Sequence, residues 1–188
     1  AFKKRIINNI YFDNFNFNNY YDNVEGSTDR IKIRIRWYGS MFGDIIEPKL
    51  EIKIKQGLLG TKKSIEIHKF NLNDDLSSIF ESLSDSYIYK RYNLNSTFPV
   101  LLNNYTRSYY ISDDRSYRIT IDEKQSYYKI HRNNNSFLHR VNDPYSKVLE
   151  IKYNDLLDEN VNTITNNFPF RMTKNSKYVN GMQFIYPN

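Results

Sequence analysis

The sequence contains no cysteine and has little glycine, proline, histidine or tryptophan. Its 188 residues include 0 Cys, 6 Gly, 5 Pro and 1 Trp, with 3 His. Without cysteine the chain has no disulfide, no thiol nucleophile and no zinc site built on thiolates. Three histidines also argue against an imidazole metal cage. The lack of disulfides is compatible with a reducing compartment.

Long hydrophobic runs and linkers are also missing. No apolar run approaches the roughly 20 residues of a membrane span, and residues 1–10 lack the apolar core of a signal peptide. No internal repeat and no Pro/Gly/Ser linker divides the chain, so residues 1–188 are predicted to form a single domain. Because the chain begins with Ala and enters a strand pattern almost at once, we expect that an upstream part is absent.

Aromatic and basic residues are abundant instead. The chain has 17 Tyr and 12 Phe, and 27 Lys and Arg against 21 Asp and Glu, for a net charge of +6. Aromatic and β-branched residues favour strands over helices. The positive charge suits a polyanionic partner, although it equally suits a basic protein with no such partner.

Alternation of apolar and polar residues predicts most of the secondary structure. The predicted strands are residues 31–37, 50–55, 117–122 and 148–153, with weaker ones at 7–12, 64–69, 106–111, 127–131 and 183–186. Helices are predicted at 15–22, 74–83 and 153–166, and asparagine clusters at 103–104 and 133–135 predict loops. Strands that follow one another directly indicate an α+β, mainly β fold, with an antiparallel sheet or barrel and helices packed outside.

Two neighbouring strands each carry one charged face. Lys32, Arg34 and Arg36 alternate with apolar residues, and Lys53 lies two residues after Glu51 on the next strand. On any single strand this pattern is typical of an ordinary solvent-exposed face. Several such faces in one barrel would repel one another unless a polyanion lay between them. Phosphate suits this interior, because an arginine fork holds two phosphate oxygens and lysine supplies a movable point charge.

Two further segments have both a functional and an ordinary interpretation. Glu150 is suited to a divalent metal that bridges phosphate oxygens, but its spacing favours a salt bridge with Lys152 or an opposite cation. Lys174, Ser176 and Lys177 lie in a segment that by itself is typical of a surface loop.

Seven segments in one order carry a resemblance to a known family. They are residues 10–13, 34–39, 50–53, 105–110, 118–122, 149–153 and 174–178. Together they resemble the VTC domain, the polyphosphate polymerase domain of the CYTH or triphosphate tunnel metalloenzyme superfamily, over nearly the whole chain. Catalytic members of this family use ATP to lengthen inorganic polyphosphate, with manganese as the favoured ion.

The resemblance implies a fold, a reaction and a set of residues. The fold is an antiparallel β-barrel tunnel, and the reaction is metal-dependent transfer of the ATP γ-phosphate to a polyphosphate chain. The implied ion is Mn²⁺ or Mg²⁺, and the implied partners are ATP and inorganic polyphosphate. The implied residues are Arg34, Arg36, Lys53, Arg107 and Arg118 for phosphate binding, Glu150 for the metal, and Lys174, Ser176 and Lys177 for catalysis.

Two departures from the family pattern leave other functions open. The family's first strand, with an acidic residue and a lysine, has no counterpart before Ile7, and Glu66 stands where a basic tunnel residue is expected. Lys62, Lys63 or Lys69 is a candidate to compensate for Glu66. The alternatives are a non-catalytic polyphosphate- or nucleotide-binding module and an inorganic triphosphatase.

The expected biological setting follows from the same resemblance. Nucleic-acid binding ranks last, because the chain has no recognisable RNA- or DNA-binding motif. We expect an accessory subunit or a fused domain upstream. The expected location is the cytoplasm or the cytosolic face of a membrane complex.

Overall fold

The computed structural model describes residues 2–74, 76–131, 137–154 and 164–187. The strands are β1 Arg5–Asp13, β2 Asp29–Tyr38, β3 Asp44–Ile45, β4 Lys49–Gln56, β5 Leu59–Glu66, β6 Phe70–Asn71, β7 Phe98–Ile111, β8 Arg118–Lys129, β9 Arg140–Asp143 and β10 Val148–Lys152. The helices are α1 Asn18–Glu25, α2 Tyr87–Arg91 and α3 Lys177–Ile185, with 3₁₀ helices at Leu76–Leu83 and Leu94–Ser96.

The main sheet is antiparallel and has the strand order β10-β8-β7-β1-β2-β4-β5, with β9 also paired to β8. A separate small sheet joins β3 to β6. Strand β1 lies centrally, between β2 and β7, and its last seven residues are all buried. The prediction of a mainly β, antiparallel fold is therefore confirmed.

The sheet is strongly curved but open in its hydrogen bonding. In the part of the chain that the structure describes, β5 pairs only with β4 and β10 only with β8, so no ladder closes a barrel. Even so, Lys62 of edge strand β5 and Glu150 of edge strand β10 line the same cavity. The two edges therefore curl toward each other and form a trough.

One face of the sheet carries the larger hydrophobic core. Alternate residues of β1, β2 and β4, among them Ile10, Ile35 and Ile52, pack there against the 3₁₀ helix Leu76–Leu83. Phe12 contacts Phe80 of that helix, with ring centroids 4.6 Å apart. The residues between them on β2 and β4 point to the opposite face, which places their charged side chains together.

Helix α3 packs on that opposite face, at one end of the trough. Tyr178 and Met182, four residues apart, are buried against Tyr11 and Leu101. A Cβ on Gly181 would lie 2.5 Å from Cδ2 of Leu101, so only glycine lets the helix approach this closely. The predicted strand at 183–186 is therefore wrong, because these residues belong to α3 and its C-terminal cap, and α3 packs on the trough face of the sheet and not outside it.

Asparagine misled the sequence prediction at the centre of the sheet. Asn103 and Asn104, predicted as a loop, lie inside β7, because their side chains bond across the strands to Asn9 and Asn8. The predicted strands 117–122 and 127–131 belong largely to one strand, β8.

The predicted helices had mixed outcomes. The helix predicted at 15–22 lies at Asn18–Glu25, and the one at 74–83 is a 3₁₀ helix. The helix predicted at 153–166 lies mostly outside the described residues, as does the loop at 133–135. Among the described residues, no helix has the length and apolarity needed to cross a bilayer.

Candidate functional site

The curved sheet and α3 enclose a cavity of about 560 Å³ that we call the cationic trough. Side chains from β2, β4, β5, β7, β10 and α3 meet there, because alternate residues of each strand face inward. The basic residues that line it are Lys32, Arg34, Arg36, Lys53, Lys62, Arg107, Lys152 and Lys177.

A buried carboxylate, Glu51, fixes the cations of the first wall. The guanidinium of Arg34 donates from Nε and Nη2 to Oε2 of Glu51 at 2.8 and 2.5 Å. Lys62 donates to Oε1 at 2.9 Å, and Arg36 lies 3.7 Å from Oε2. Burial raises the pKa of Glu51, but the charges of Arg34 and Arg36 and the hydrogen bonds from Lys62 and Arg34 outweigh it and lower the pKa to about 2.

Buried amides and a phenol orient Arg36. Its Nε donates to Oδ1 of Asn9 at 2.9 Å, and its Nη2 donates to the hydroxyl of Tyr105 at 3.2 Å. Asn9 in turn donates to Oδ1 of Asn103 at 2.8 Å. Asn9 and Asn103 are fully buried, so this chain of bonds fixes the guanidinium on a rigid floor.

A second buried carboxylate, Asp122, fixes the cations of the other wall. Arg107 donates to both of its oxygens, from Nε at 2.5 Å and from Nη2 at 2.7 Å. The ammonium of Lys177 lies 2.6 Å from Oδ2, and 4.7 Å from the ring centroid of Tyr105. Burial raises the pKa of Asp122, but the hydrogen bonds from Arg107 and the charge of Lys177 lower it below its ordinary value.

Two lysines of the trough have no such partner. Lys32 and Lys53 are directly opposed on β2 and β4, and within the described residues neither forms a salt bridge. Burial and the charges of Arg30 and Arg34 lower the pKa of Lys32 to about 8. Desolvation, Arg34 and Arg36 lower the pKa of Lys53 to about 8 as well, while Glu150 acts in the opposite direction.

These two lysines differ in exposure. Lys53 is exposed at the trough wall and Lys32 is half-buried, so solvent screens Lys53 more effectively.

The first turn of α3 is held in place from below. Ser176 is the N-cap, and its hydroxyl accepts from the backbone N–H of Val179 at 3.4 Å. The next residue but one, Tyr178, donates its hydroxyl to Oδ2 of Asp13 at 2.5 Å. Asp13 is fully buried and also accepts from the backbone N–H groups of Asn19 and Tyr20. This contact holds Ser176 and Lys177 against the trough.

Most of the residues singled out in the sequence lie in the trough, but two do not. Arg118 is exposed in a neighbouring recess, and Lys174 is exposed and does not line the cavity. The sequence-predicted residues that line the trough are Arg34, Arg36, Lys53, Arg107, Glu150, Ser176 and Lys177.

The acidic residues need separate comment. Glu150 lies 3.5 Å from Lys152 and 3.7 Å from Arg107, so it forms the salt bridges that its spacing favoured. No group of three or more potential ligands suited to a metal ion occurs in the described part of the chain. Glu66 pairs with Lys49 at 3.4 Å and is exposed, while Lys62 of the same strand reaches the trough.

Sequence reasoning missed the organising roles of Glu51 and Asp122. Both lie at alternate positions on strands whose inward faces also carry cations. Each is an acidic residue on a strand face that otherwise carries basic residues, and this pattern in the sequence could have identified Glu51 and Asp122.

Comparisons with known proteins identify a family and a similar fold. The family model of the VTC domain matches residues 2–186. Among curated proteins, none matches the sequence. The fold is similar to the structure of the PH1819 protein from Pyrococcus horikoshii OT3, with a TM-score of 0.50 and 17% sequence identity over 95% of this chain and 83% of that one. At that identity the likeness shows the fold alone.

Proposed function

Since the chain belongs to the VTC domain family, we propose that it binds triphosphate and inorganic polyphosphate in the cationic trough and transfers the γ-phosphate of ATP to the polyphosphate chain. One observation carries the proposal. Arg34, Arg36, Lys53, Arg107 and Lys177 come from distant parts of the chain, yet all line one cavity. A chain of phosphates neutralises such a set, whereas a single small anion reaches only part of it.

The arginines and the lysines of the trough have different roles in binding. Arg36 and Arg107 are held by neighbours that leave them facing the cavity, so they bind phosphate oxygens without reorganising. Lys32 and Lys53 supply further positive charge, and neither forms a salt bridge with a described residue. We extend the proposal to the edges β5 and β10, which would enclose a bound phosphate chain as the walls of a tunnel.

The transfer step asks little of the protein beyond alignment and charge neutralisation. An oxygen of the terminal phosphate of the chain attacks the γ-phosphorus of ATP in line. The bond from that phosphorus to the β,γ-bridging oxygen breaks, ADP leaves with the electron pair, and the chain gains one phosphate. Lys177 and Ser176 contact the transferred group, and Asp122 fixes the position of the Lys177 ammonium.

A divalent ion fits the trough only with help from the substrate. Glu150, with a side chain 41% exposed, would hold Mn²⁺ or Mg²⁺ together with phosphate oxygens and water, because Mg²⁺ commonly takes one or two carboxylates plus phosphates. Glu51 and Asp122 are committed to cations. When bound, such an ion neutralises charge on the transferred phosphoryl group.

A binding module without catalysis is the second candidate. Among the described residues that line the trough, Glu150 is the single carboxylate, and no group of three potential metal ligands occurs in that part of the chain; both observations favour binding without catalysis. An inorganic triphosphatase would use the same trough with water as the attacking group.

Incubation of the full-length protein with ATP and MnCl₂ separates the three functions. We expect polyphosphate ladders on a gel with the natural chain and with a Lys90→Ala control on exposed α2, and none with Lys177→Ala. Released phosphate without polymer would assign the triphosphatase. Binding of tripolyphosphate with neither product would leave the binding module, and no binding would refute the trough as a phosphate site.

A further inference from the structure

A smaller cavity of about 340 Å³ opens from the cationic trough between β2, β4 and β5, and we call it the side pocket. Lys32, Lys53 and Lys62 line both cavities, so the two are continuous. Arg30 and Lys55 add two more cations to the wall of the side pocket. Among the described residues that line it, none is acidic. The side pocket is therefore suited to a small anion.

The register of the strands puts three lysines in one row. Lys32 on β2 is directly opposite Lys53 on β4, and Lys53 is directly opposite Lys62 on β5. Directly opposed side chains have Cβ atoms about 4.5–5.5 Å apart, and like charges at this distance repel each other. The ammonium of Lys62 donates to Glu51 at 2.9 Å, which relieves it. Lys32 forms no salt bridge with a described residue.

Lys32 is the amine of this row that most readily loses its proton. It is half-buried, and Arg30 and Arg34 flank it on the same face of its own strand. Burial and these two charges lower the pKa of Lys32 to about 8. At pH 8 about half of this amine is therefore neutral, against roughly 0.3% for a lysine with the ordinary value of 10.5. A desolvated lysine beside other cations is an activated nucleophile.

Lys53, on the opposite strand, has the complementary property. It is more exposed than Lys32, so solvent screens its charge, and Glu150 favours its protonated form. A phosphate bound beside Lys53 favours that form further. The row therefore places a nucleophilic amine directly opposite an ammonium that can bind a phosphate.

An acyl phosphate has the two groups that this arrangement recognises. Its phosphate suits the ammonium groups of Lys53 and Lys62, and its carbonyl carbon is an electrophile for a neutral amine. The phosphate is also the leaving group. Because it leaves as an anion, the cations that bind it stabilise the charge that develops as the bond breaks.

We propose that Lys32 is a modification site that small acyl phosphates acylate directly. Nζ of Lys32 attacks the carbonyl carbon, the bond from that carbon to the phosphate oxygen breaks, and inorganic phosphate leaves with the electron pair. The attacking nitrogen loses one proton to water, and the product is a neutral amide. The modification itself goes beyond the proposed function. Its consequence rests on that function, because loss of the charge on Lys32 weakens the binding of a phosphate chain.

Incubation of the natural chain with acetyl phosphate at pH 8 tests the proposal. Mass spectrometry after digestion measures the acetylation rate of each lysine, with Lys90 on the exposed face of α2 as internal reference. We expect Lys32 to react roughly 10-fold faster than Lys90, because its larger neutral fraction outweighs the lower nucleophilicity of a less basic amine. Faster acetylation of Lys53 than of Lys32 would overturn the assignment to Lys32.

A second reagent separates recognition of the phosphate from reactivity of the amine. The acetyl ester of N-hydroxysuccinimide transfers the same group but has no phosphate. Lys53→Met should slow acetylation of Lys32 by acetyl phosphate roughly 5-fold, the upper range for an exposed charge pair, and leave the reaction with the ester nearly unchanged. Lys63→Met is the matched control, because Lys63 is opposite Ile52 and faces the other side of the sheet. Equal slowing with both reagents would refute the role of the bound phosphate.

The outcomes keep this proposal and the proposed function apart. If Lys32 reacts no faster than Lys90, the modification site is refuted, whether or not tripolyphosphate binds. If Lys32 reacts selectively but tripolyphosphate neither binds nor protects it, the modification site stands and the proposed function falls. If tripolyphosphate does protect Lys32, the acetylated protein and Lys32→Gln should both bind tripolyphosphate more weakly than the natural chain. Unchanged binding would refute the effect of acylation on the trough.

Discussion

The cationic trough holds two kinds of basic residue that differ in their partners. Arg34, Arg107 and Lys177 are bound to buried carboxylates, whereas Lys32 and Lys53 have none in the described part of the chain. The first kind has its position set by the fold. The second kind is desolvated and lies near other cations, and both effects lower the pKa values of Lys32 and Lys53. The paired cations therefore define the shape of the trough. The unpaired lysines add positive charge that a bound anion would neutralise.

This difference predicts opposite effects of mutation. Removing a carboxylate leaves desolvated cations without a partner, which costs stability. Removing an unpaired lysine relieves repulsion in the free protein and costs affinity for a polyanion instead. Substitution of a buried carboxylate should therefore lower stability, whereas substitution of an unpaired lysine should lower affinity for a polyanion.

The largest expected effect follows from truncating a buried carboxylate. Asp122→Ala removes the carboxylate that pairs with Lys177 and leaves Arg107 with only the more distant Glu150, and breaking a buried ion pair in this way costs roughly 3–5 kcal/mol. Urea denaturation measures the loss of unfolding free energy. Asp85→Ala, at an exposed acid, is the matched control. A loss below about 1 kcal/mol, the range for exposed ion pairs, would show that Asp122 does not organise this wall.

A somewhat smaller effect is expected in acid. The pKa of Glu51 is about 2 in the folded chain against 4.5 for a free glutamate, so its contribution is complete above pH 4.5 and is lost as the pH falls toward 2. That loss is on the order of 3 kcal/mol. Denaturation at a series of pH values measures it, and Glu51→Gln should flatten the curve in this window. An unchanged pH dependence in the variant would contradict the role of Glu51.

The smallest effect concerns the unpaired lysines near pH 8. Because the pKa values of Lys32 and Lys53 are about 8 in the free protein and 10.5 when unfolded, stability from these groups rises between pH 8 and 10.5. A bound polyanion favours their protonated forms, so tripolyphosphate binding should take up protons at pH 8 and weaken as the pH rises.

Titration calorimetry at pH 8, in buffers of different ionisation enthalpy, measures this proton uptake. The proton uptake of a Lys32→Met, Lys53→Met double variant is the control, because it contains only the ionisation of the ligand and of the remaining groups. This variant should bind tripolyphosphate more weakly while unfolding at no lower urea concentration. Equal uptake in both proteins would show that these lysines do not titrate with the ligand.

The sequence predicted which face of a strand each residue occupies better than it predicted which residues of adjacent strands are opposite each other. Alternation alone placed Arg34 and Arg36 on one face, and the structure has them there. It did not show that Arg34 is opposite Glu51, because that pairing depends on the register between β2 and β4. Arg118 shares the inward face of β8 with Asp122, but it lies at the end of the strand and is exposed. Alternation along a strand predicts which face of the sheet a side chain points to. It does not predict where along the trough that side chain lies.

Other features depended on contacts that are distant in the chain. The buried position of Asn103 depends on an amide bond to Asn9, 94 residues away. Lys177 enters the trough because Tyr178 is bonded to Asp13, 165 residues away. Neither contact has a local pattern that a single sequence reveals, whereas the resemblance of the 174–178 segment to the VTC domain drew attention to Lys177.

The unpaired edges of the sheet have a consequence for behaviour at high concentration. Strands β5 and β10 lack a second strand partner in the described residues, and such edges readily pair with another copy of the chain. Lysines on an edge strand oppose this pairing, and Lys62 and Lys152 lie on these two edges. An anion that neutralises them would remove that protection, so the saturated protein should aggregate more readily than the empty one.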